Sequence, residues 1–398
     1  MLIIMKMSLT SVDNYADAQR VGTGPQFWAT APNVSLLDGA VDQLGVEPGL
    51  VLTDAQVRDW FNGATAPSGL RLGRAPSNSG VPGFGLTFAA PKSVSLLWAF
   101  GDDEVRHVVE TAHKNAVSES LNYLLEHAGY TRRADADDRS LMVIDRVTAL
   151  TGVRYDRFTS LAGDPHMHAC VLLANRQPCA DGKWRTLDGV GLYHQARGAG
   201  MLYQAIMRAA LSERLGVQWG VRTKGCGEIA GLDTPGLLDA FSSRSVEMRR
   251  WIQHNAVQMR SDYMRIAGKQ TRNEGYRTAA LYNECVRHWS TNPMADVVRA
   301  FVSRLGVHDV PQHDRAVPPL PSVGNVLDSV TIDRDTFTRG DVVEKIAELM
   351  PVYAADAHHV RQTVETHADV VLQQATPVPL TRNPKTVREG AHRFTAKG

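Results

Sequence analysis

The chain is poor in cysteine. Its 398 residues hold four, Cys170, Cys179, Cys226 and Cys285, and none falls in a CxxC pair. That excludes a disulfide framework as the source of stability and fits a reducing, cytoplasmic setting. Long hydrophobic runs are also missing. The apolar opening MLIIMKMSLTSV gives way to polar residues at once, so it reads as an N-terminal strand, and no membrane partner is expected. Charge of one sign is not in excess: 43 Lys and Arg against 42 Asp and Glu leave a net charge of +1. This excludes an overall coat of positive charge but leaves room for a local basic groove. A G-x-x-x-x-G-K-[ST] phosphate loop is absent, so no nucleotide cofactor is expected and the chain as given does not drive ATP-dependent unwinding. No internal repeat is found.

Hydrophobic residues make up 43% of the chain, enough for a sizeable core. TDAQVRDWFNG reads as a helix with Thr53 as its cap and Gly63 as its end. A loop rich in Gly, Pro and Ser over 64–85 leads to a strand, LTFA, then a Pro-Lys-Ser turn and a buried apolar run. DDEVRHVVETAHKNAVSESLNYLLEHAG has helical periodicity, with Val108, Ala112, Ala116, Leu121 and Leu124 as core contacts. SLMVIDRVTALTGVRYDRFTS and HMHACVLLANR read as strands, and GLYHQARGAGMLYQAIMRAALSERLG as a long helix stopped by Gly216. Residues 235–288 read as mostly helical, 310–335 as a proline-rich linker, and the segments around GDVVEKIAELM and AHHVRQTVETHADVVLQQ as a small helical unit before a tail.

The stretch DPHMHACVLLANR poses the chemical question. Alternate residues of a strand share a face, so His166, His168 and Cys170 point the same way. Neighbours in that set are roughly 6–7 Å apart, close enough to chelate one ion, whereas the outer two are about twice as far apart. Nitrogen and sulfur donors together suit zinc. The alternative is that His168 and Cys170 are ordinary half-buried residues and His166 caps a loop.

Four blocks in order, GFGLTFAAPKSVSLLWAF, TSLAGDPHMHACVLLANR, DGKWRTLDGVGLYHQARGAGMLYQAIMRAALSERLGVQW and GEIAGLDTPGLLDAFSSR, resemble the relaxase domain of conjugative relaxases of the MobF (TrwC/TraI) type, members of the HUH endonucleases. The resemblance covers about residues 1–290. It implies an α+β fold, a central antiparallel sheet flanked by helices, with a helical flap and a small C-terminal helical appendage. The implied division is a palm over 1–235, a flap over 236–300, a linker over 301–335, and a connector and tail over 336–398. It also implies nicking of single-stranded or hairpin DNA by a tyrosine. In the family three histidines hold a divalent metal, and an aspartate orients one of them.

Carried onto this sequence, the nucleophile position is Tyr15. The aspartate position is Gly85, the first metal histidine is Arg157, and the family's HxH pair is His168 and Cys170, with His166 extra. Arginine cannot ligate a metal, and a permanent cation opposes binding of a divalent one. The expectation is therefore a degenerate nicking site, holding either a divalent metal (zinc favoured by Cys170) through His166, His168 and Cys170, or none. The DNA-binding module that remains would use Lys92, Arg132, Arg133, Lys183, Trp184 and Arg185, a mixture of charge and aromatic surface suited to backbone contact and base stacking. Its expected partners are single-stranded or hairpin DNA and an active relaxase or helicase supplied by another chain. The alternative is an active tyrosine nickase, Tyr15 attacking a phosphate held by Arg157 or by a His/Cys zinc site. A third reading is a zinc-stabilised structural protein.

Overall fold

A computed structural model describes residues 2–12, 34–47, 50, 52–160, 162–223, 225–255, 282–307, 317–332, 334–378 and 392–396. The central sheet contains strands β1 (Leu2–Lys6), β2 (Val34–Leu36), β3 (Gly83–Ala89), β6 (Gly152–Thr159) and β7 (Pro165–Ala174). Their order is β1-β3-β7-β6-β2, and every pairing is antiparallel. The continuous apolar run Val171–Ala174 places β7 at the centre, where both its neighbours are strands. Two short hairpins stand apart from this sheet: β4 (Tyr130–Ala134) with β5 (Met142–Arg146), and β8 (Arg176–Pro178) with β9 (Trp184–Thr186).

Helices flank the sheet, the two longest on one face and the Phe61 helix beside Gly83 on the other. After the short α1 (Val41–Leu44) come α2 (Asp54–Gly63), α3 (Lys92–Phe100), α4 (Asp103–Ala128) and α5 (Gly189–Leu215). Helix α4 starts on Asp102, whose carboxylate accepts from Val105 N, and it buries all five residues expected of its core stripe. Helix α5 ends on Gly216 in the left-handed conformation, φ 64°, which a residue without Cβ adopts freely. The two long helices pack together and reach the sheet through Tyr203 against Phe88. Trp98 of α3 stacks on Phe158 of β6 at 4.2 Å between ring centres.

Three local expectations change, and one segment left without an assignment gains one. The strand at the N-terminus stops at Lys6, and residues 9–12 turn helical, with Ser8 and Ser11 bonded to each other. Helix α2 has its Thr53–Gln56 capping box, but the left-handed residue that closes it is Ala64, φ 51°, one position past Gly63. The apolar run after Pro-Lys-Ser is a helix; residues 93–98 are all buried, so no periodicity marks it in the sequence. Residues 301–335, read as a linker, hold helix α10 (Val323–Thr331), capped by Ser322 and buried through Val326 and Val330.

The remaining helices are α6 (Pro235–Ala240), α7 (Ser243–Asn255), α8 (Tyr282–Ser290), α9 (Ala295–Val302), α11 (Arg339–Leu349) and α12 (Val360–Gln373), with a small β10–β11 ribbon (Ala375–Pro377, Phe394–Ala396). The C-terminal helices do not hang off the palm. Arg208 of α5 donates to Ala347 O at 3.0 Å, and Arg222 donates to Glu348 O and Met350 O. One hydrophobic core runs from Met7 to Ala375. Among the described residues no helix is long and apolar enough to cross a membrane.

Candidate functional site

Strand register decides what meets on the face of the sheet turned away from α4 and α5. Across β6 and β7, Arg157 pairs with His168 and Tyr155 with Cys170. Across β3 and β7, Thr87 pairs with Cys170 and Ala89 with His168. Paired residues share a face, so Arg157, His168, Cys170, Tyr155 and Thr87 form one contiguous patch, with Gly85 two residues along from Thr87. Asp156 and Phe158 alternate to the helix side. Ile3 and Met5 of the edge strand, 52% and 51% exposed, pair with Thr87 and Gly85 and extend the patch as apolar surface. Tyr15 lies outside the described residues.

The patch is largely uncharged except for Arg157. Burial pushes His166 down to about 3 and His168 to about 4, so both imidazoles are neutral near pH 7. Burial pushes the Cys170 thiol up, and its Sγ lies 4.0 Å from Thr87 Oγ1. The His168 Nδ1 is 2.9 Å from the His166 carbonyl, which can only accept. The proton therefore sits on Nδ1, and Nε2 keeps its lone pair. With Gly85 in place of a carboxylate, a backbone carbonyl sets this tautomer. The two rings lie 4.7 Å apart between centres.

The Pro-Lys-Ser segment holds the start of β7 in place. The Lys92 ammonium donates to Pro165 O at 2.5 Å, and burial lowers its pKa to about 8. Ser95 Oγ accepts from Met167 N. Glu228 supplies the cap that Pro91 at the start of α3 cannot: its carboxylate accepts from Lys92 N, Ser93 N and Ser93 Oγ. Asp164, just before β7, accepts from Ser243 N and Oγ at the start of α7. Trp289 of α8 donates to Gly163 O. The strand that carries the histidines is thus tied to the helices on its flank. Lys92, expected to face a DNA backbone, points into this joint. Glu228 and Asp164 left no local signal, since their partners are 135 and 79 residues away.

The other residues expected to contact DNA gather on the two hairpins. Bridges Thr131–Leu187 and Val147–Cys179 bring β4–β5 beside β8–β9. Arg132 pairs with Asp188 at 3.3 Å, Arg133 with Asp145 at 2.6 Å, and Arg185 holds Asp181 with two bonds of 2.7 and 2.6 Å. Lys183 is exposed at the turn and Trp184 is half-buried. The acidic partners fix these guanidinium groups and reduce the local positive field.

A three-histidine cation site does not fit this patch, because Arg157 brings five donors and a fixed charge to the position opposite His168. Among the described residues, the group of His, Cys, Asp or Glu side chains whose ligand atoms lie within 4.8 Å of one another is Glu126, His127 and Glu365; His166, His168 and Cys170 form no such group. Glu126–His127–Glu365 lies between α4 and α12, away from the sheet face. There Arg361 bonds Glu365 at 2.8 Å and Glu126 at 3.4 Å, already supplying a cation.

Comparison with known proteins matches this architecture. The family model for the TrwC relaxase covers residues 12–293, well over half of the chain. The chain belongs to the TrwC relaxase family. Among curated relatives, the multifunctional conjugation protein TraI of Escherichia coli is 31% identical over 202 residues, and TraI of Escherichia coli strain K12 is 29% identical over the same length. The aligned part is 48% of this chain and 11% of either relative, so the chain spans about a tenth of their length. Solved structures of the conjugative relaxase TrwC share the fold. The metal-bound complex with oriT DNA superposes with a TM-score of 0.61 at 20% identity, covering 76% of this chain and 98% of that one. The complex with a 27-mer holding the recognition hairpin and cleavage site gives 0.59 at 21%, covering 77% and 99%. The α+β class and antiparallel relaxase sheet expected from the sequence are what the structure has.

Proposed function

We propose that this chain binds single-stranded or hairpin DNA in conjugative DNA processing, and that metal-dependent nicking by its sheet face is impaired. The observation that carries the proposal is the register placing Arg157 opposite His168, where the family resemblance puts a metal-ligating histidine. A guanidinium there repels a divalent ion and cannot replace a lost ligand. Gly85 removes the carboxylate, and Cys170 is a neutral, buried thiol. A free phenol has a pKa near 10, and without a bound metal or a nearby carboxylate the Tyr15 hydroxyl is a weak nucleophile. DNA contact falls to the hairpin residues Arg132, Arg133, Lys183, Trp184 and Arg185. Strand cutting and unwinding fall to an active relaxase or helicase on another chain.

One observation favours a second reading, an active nickase. His168 is neutral, with its tautomer fixed and Nε2 available, and Arg157 beside it matches a phosphate with two parallel donors. In that reading Arg157 clamps the scissile phosphate and Tyr15 attacks without a metal. The test is incubation of the full chain with random single-stranded 30-mers and hairpins, with Mg²⁺ or with EDTA. Binding without a covalent protein–DNA adduct is expected. An adduct that survives EDTA and disappears in Tyr15→Phe and Arg157→Ala establishes the second reading instead.

A further inference from the structure

Beyond residue 293, where the match to the TrwC family model ends, the chain builds a unit with its own topology. Its order is α10, a bridged position at Phe337, α11, α12, then β10 and β11. Strand β10 pairs antiparallel with β11, and Phe337 exchanges two backbone hydrogen bonds with Phe394 of β11, of 3.0 and 2.9 Å. Three helices followed by a ribbon, whose last strand also takes up a segment from between the first two helices, is the arrangement of a winged helix, a variant of the helix-turn-helix. Helix α11 is the one that Arg208 and Arg222 hold to the palm, so α12 occupies the position of a recognition helix.

The faces of α12 divide cleanly. Val360, Val364, Ala368 and Val371 are buried in the unit. Arg361 and Glu365, on the next face, meet the palm: Arg361 bonds Glu119 at 2.6 Å, and Glu365 meets His127 at 2.6 Å. Gln362, Thr366, Asp369 and Gln373 are exposed and, at 3.6 residues per turn, form one stripe opposite the buried one. A face that only meets water is ordinarily rich in Lys and Glu. This one holds amides, a hydroxyl and a carboxylate that Arg339 at the start of α11 partners, the groups that read base edges in a major groove. The charge beside it has the sign that a phosphate backbone requires. By sequence, the chain over 378–393 that joins β10 to β11 holds Arg382, Lys385, Arg388 and Arg393 against Glu389. Arg393 is exposed next to β11, and His358 and His359 are exposed at the start of α12.

We infer that this unit is a second nucleic-acid site, which lays α12 in the major groove of duplex DNA while the palm takes a single strand or hairpin. The inference goes beyond the function proposed for the palm and does not need it.

The test is fluorescence anisotropy of the full chain with a labelled blunt 30-bp duplex of random sequence at low salt, alone and with a saturating unlabelled single-stranded 30-mer. The duplex is expected to bind and to stay bound in the presence of the 30-mer. Thr366→Glu, at an exposed position, should weaken duplex binding about tenfold, the order of one lost base contact, and leave the affinity for the 30-mer unchanged. Arg393→Ala should lower the salt slope for the duplex by about one and leave that for the 30-mer unaltered. If Thr366→Glu loses both ligands, the fold has failed and Arg393→Ala decides. No duplex binding, full displacement by the 30-mer, or parental duplex binding in both variants overturns the inference. If the duplex behaves as expected and the 30-mer does not bind, the reading of the palm fails and this one stands.

Discussion

Arg157 and His168 face each other across the β6–β7 ladder, a fixed cation beside an imidazole that burial keeps neutral. Neither residue alone shows what the pair does. Together they put a positive charge where a cation would need a ligand. The expected consequence is that Arg157→His restores metal affinity. Calorimetric titration with Zn²⁺ should show one equivalent bound by the variant at least tenfold more tightly than by the parent, since one ligand is gained and one opposing charge is lost. Equal affinities would sink the proposal that Arg157 disables the site.

The neutral imidazoles predict an acid limit to stability. His166 and His168 titrate at about 3 and about 4 in the fold, against about 6.5 in an unfolded chain. Between those values the unfolded chain binds more protons. Stability is therefore full above about pH 6.5 and falls as pH drops toward 4, by on the order of 3 kcal/mol per imidazole at most. Urea unfolding at a series of pH values reads this directly. His168→Gln should flatten the fall between pH 6 and 4.

Lys92 and the hairpin cations should separate in a salt titration. Lys183→Ala and Arg133→Ala are expected to lower the slope of log K against log salt for a single-stranded 30-mer by up to about one each. Lys92→Met should leave the slope unchanged, because the ammonium is spent on Pro165 O. It should instead cost about 1–2 kcal/mol of stability by leaving a buried carbonyl without a donor.

Glu228→Ala should be as damaging as many core changes. It removes the acceptor for two backbone N–H groups and one hydroxyl at the start of α3. A loss of about 2–3 kcal/mol is expected from a helix cap plus an orphaned buried hydroxyl. Thermal unfolding checks it. A change below about 0.5 kcal/mol would mean that solvent replaces the carboxylate.

Much of the fold could be read from local pattern. The 3.6-residue periodicity of α4 placed its buried face, Gly216 marked the end of α5, and alternation put His166, His168 and Cys170 on one face. The α3 segment was ambiguous because burial on every side erases the alternation that separates helix from strand. The helix over 323–331 was hidden by flanking prolines, which speak for the chain around it and not for the apolar Val326 and Val330 within.

Residue chemistry in the sequence alone fixed the types of group present at the site: an arginine, a glycine and a cysteine at positions where the family resemblance implies two histidines and an aspartate. Only the tertiary structure decided which of them meet. Strand pairing set Arg157 against His168, and Lys92 was drawn inward by a carbonyl 73 residues further on. Hydrogen-bond register and burial act between segments far apart in the chain, so no local pattern encodes them.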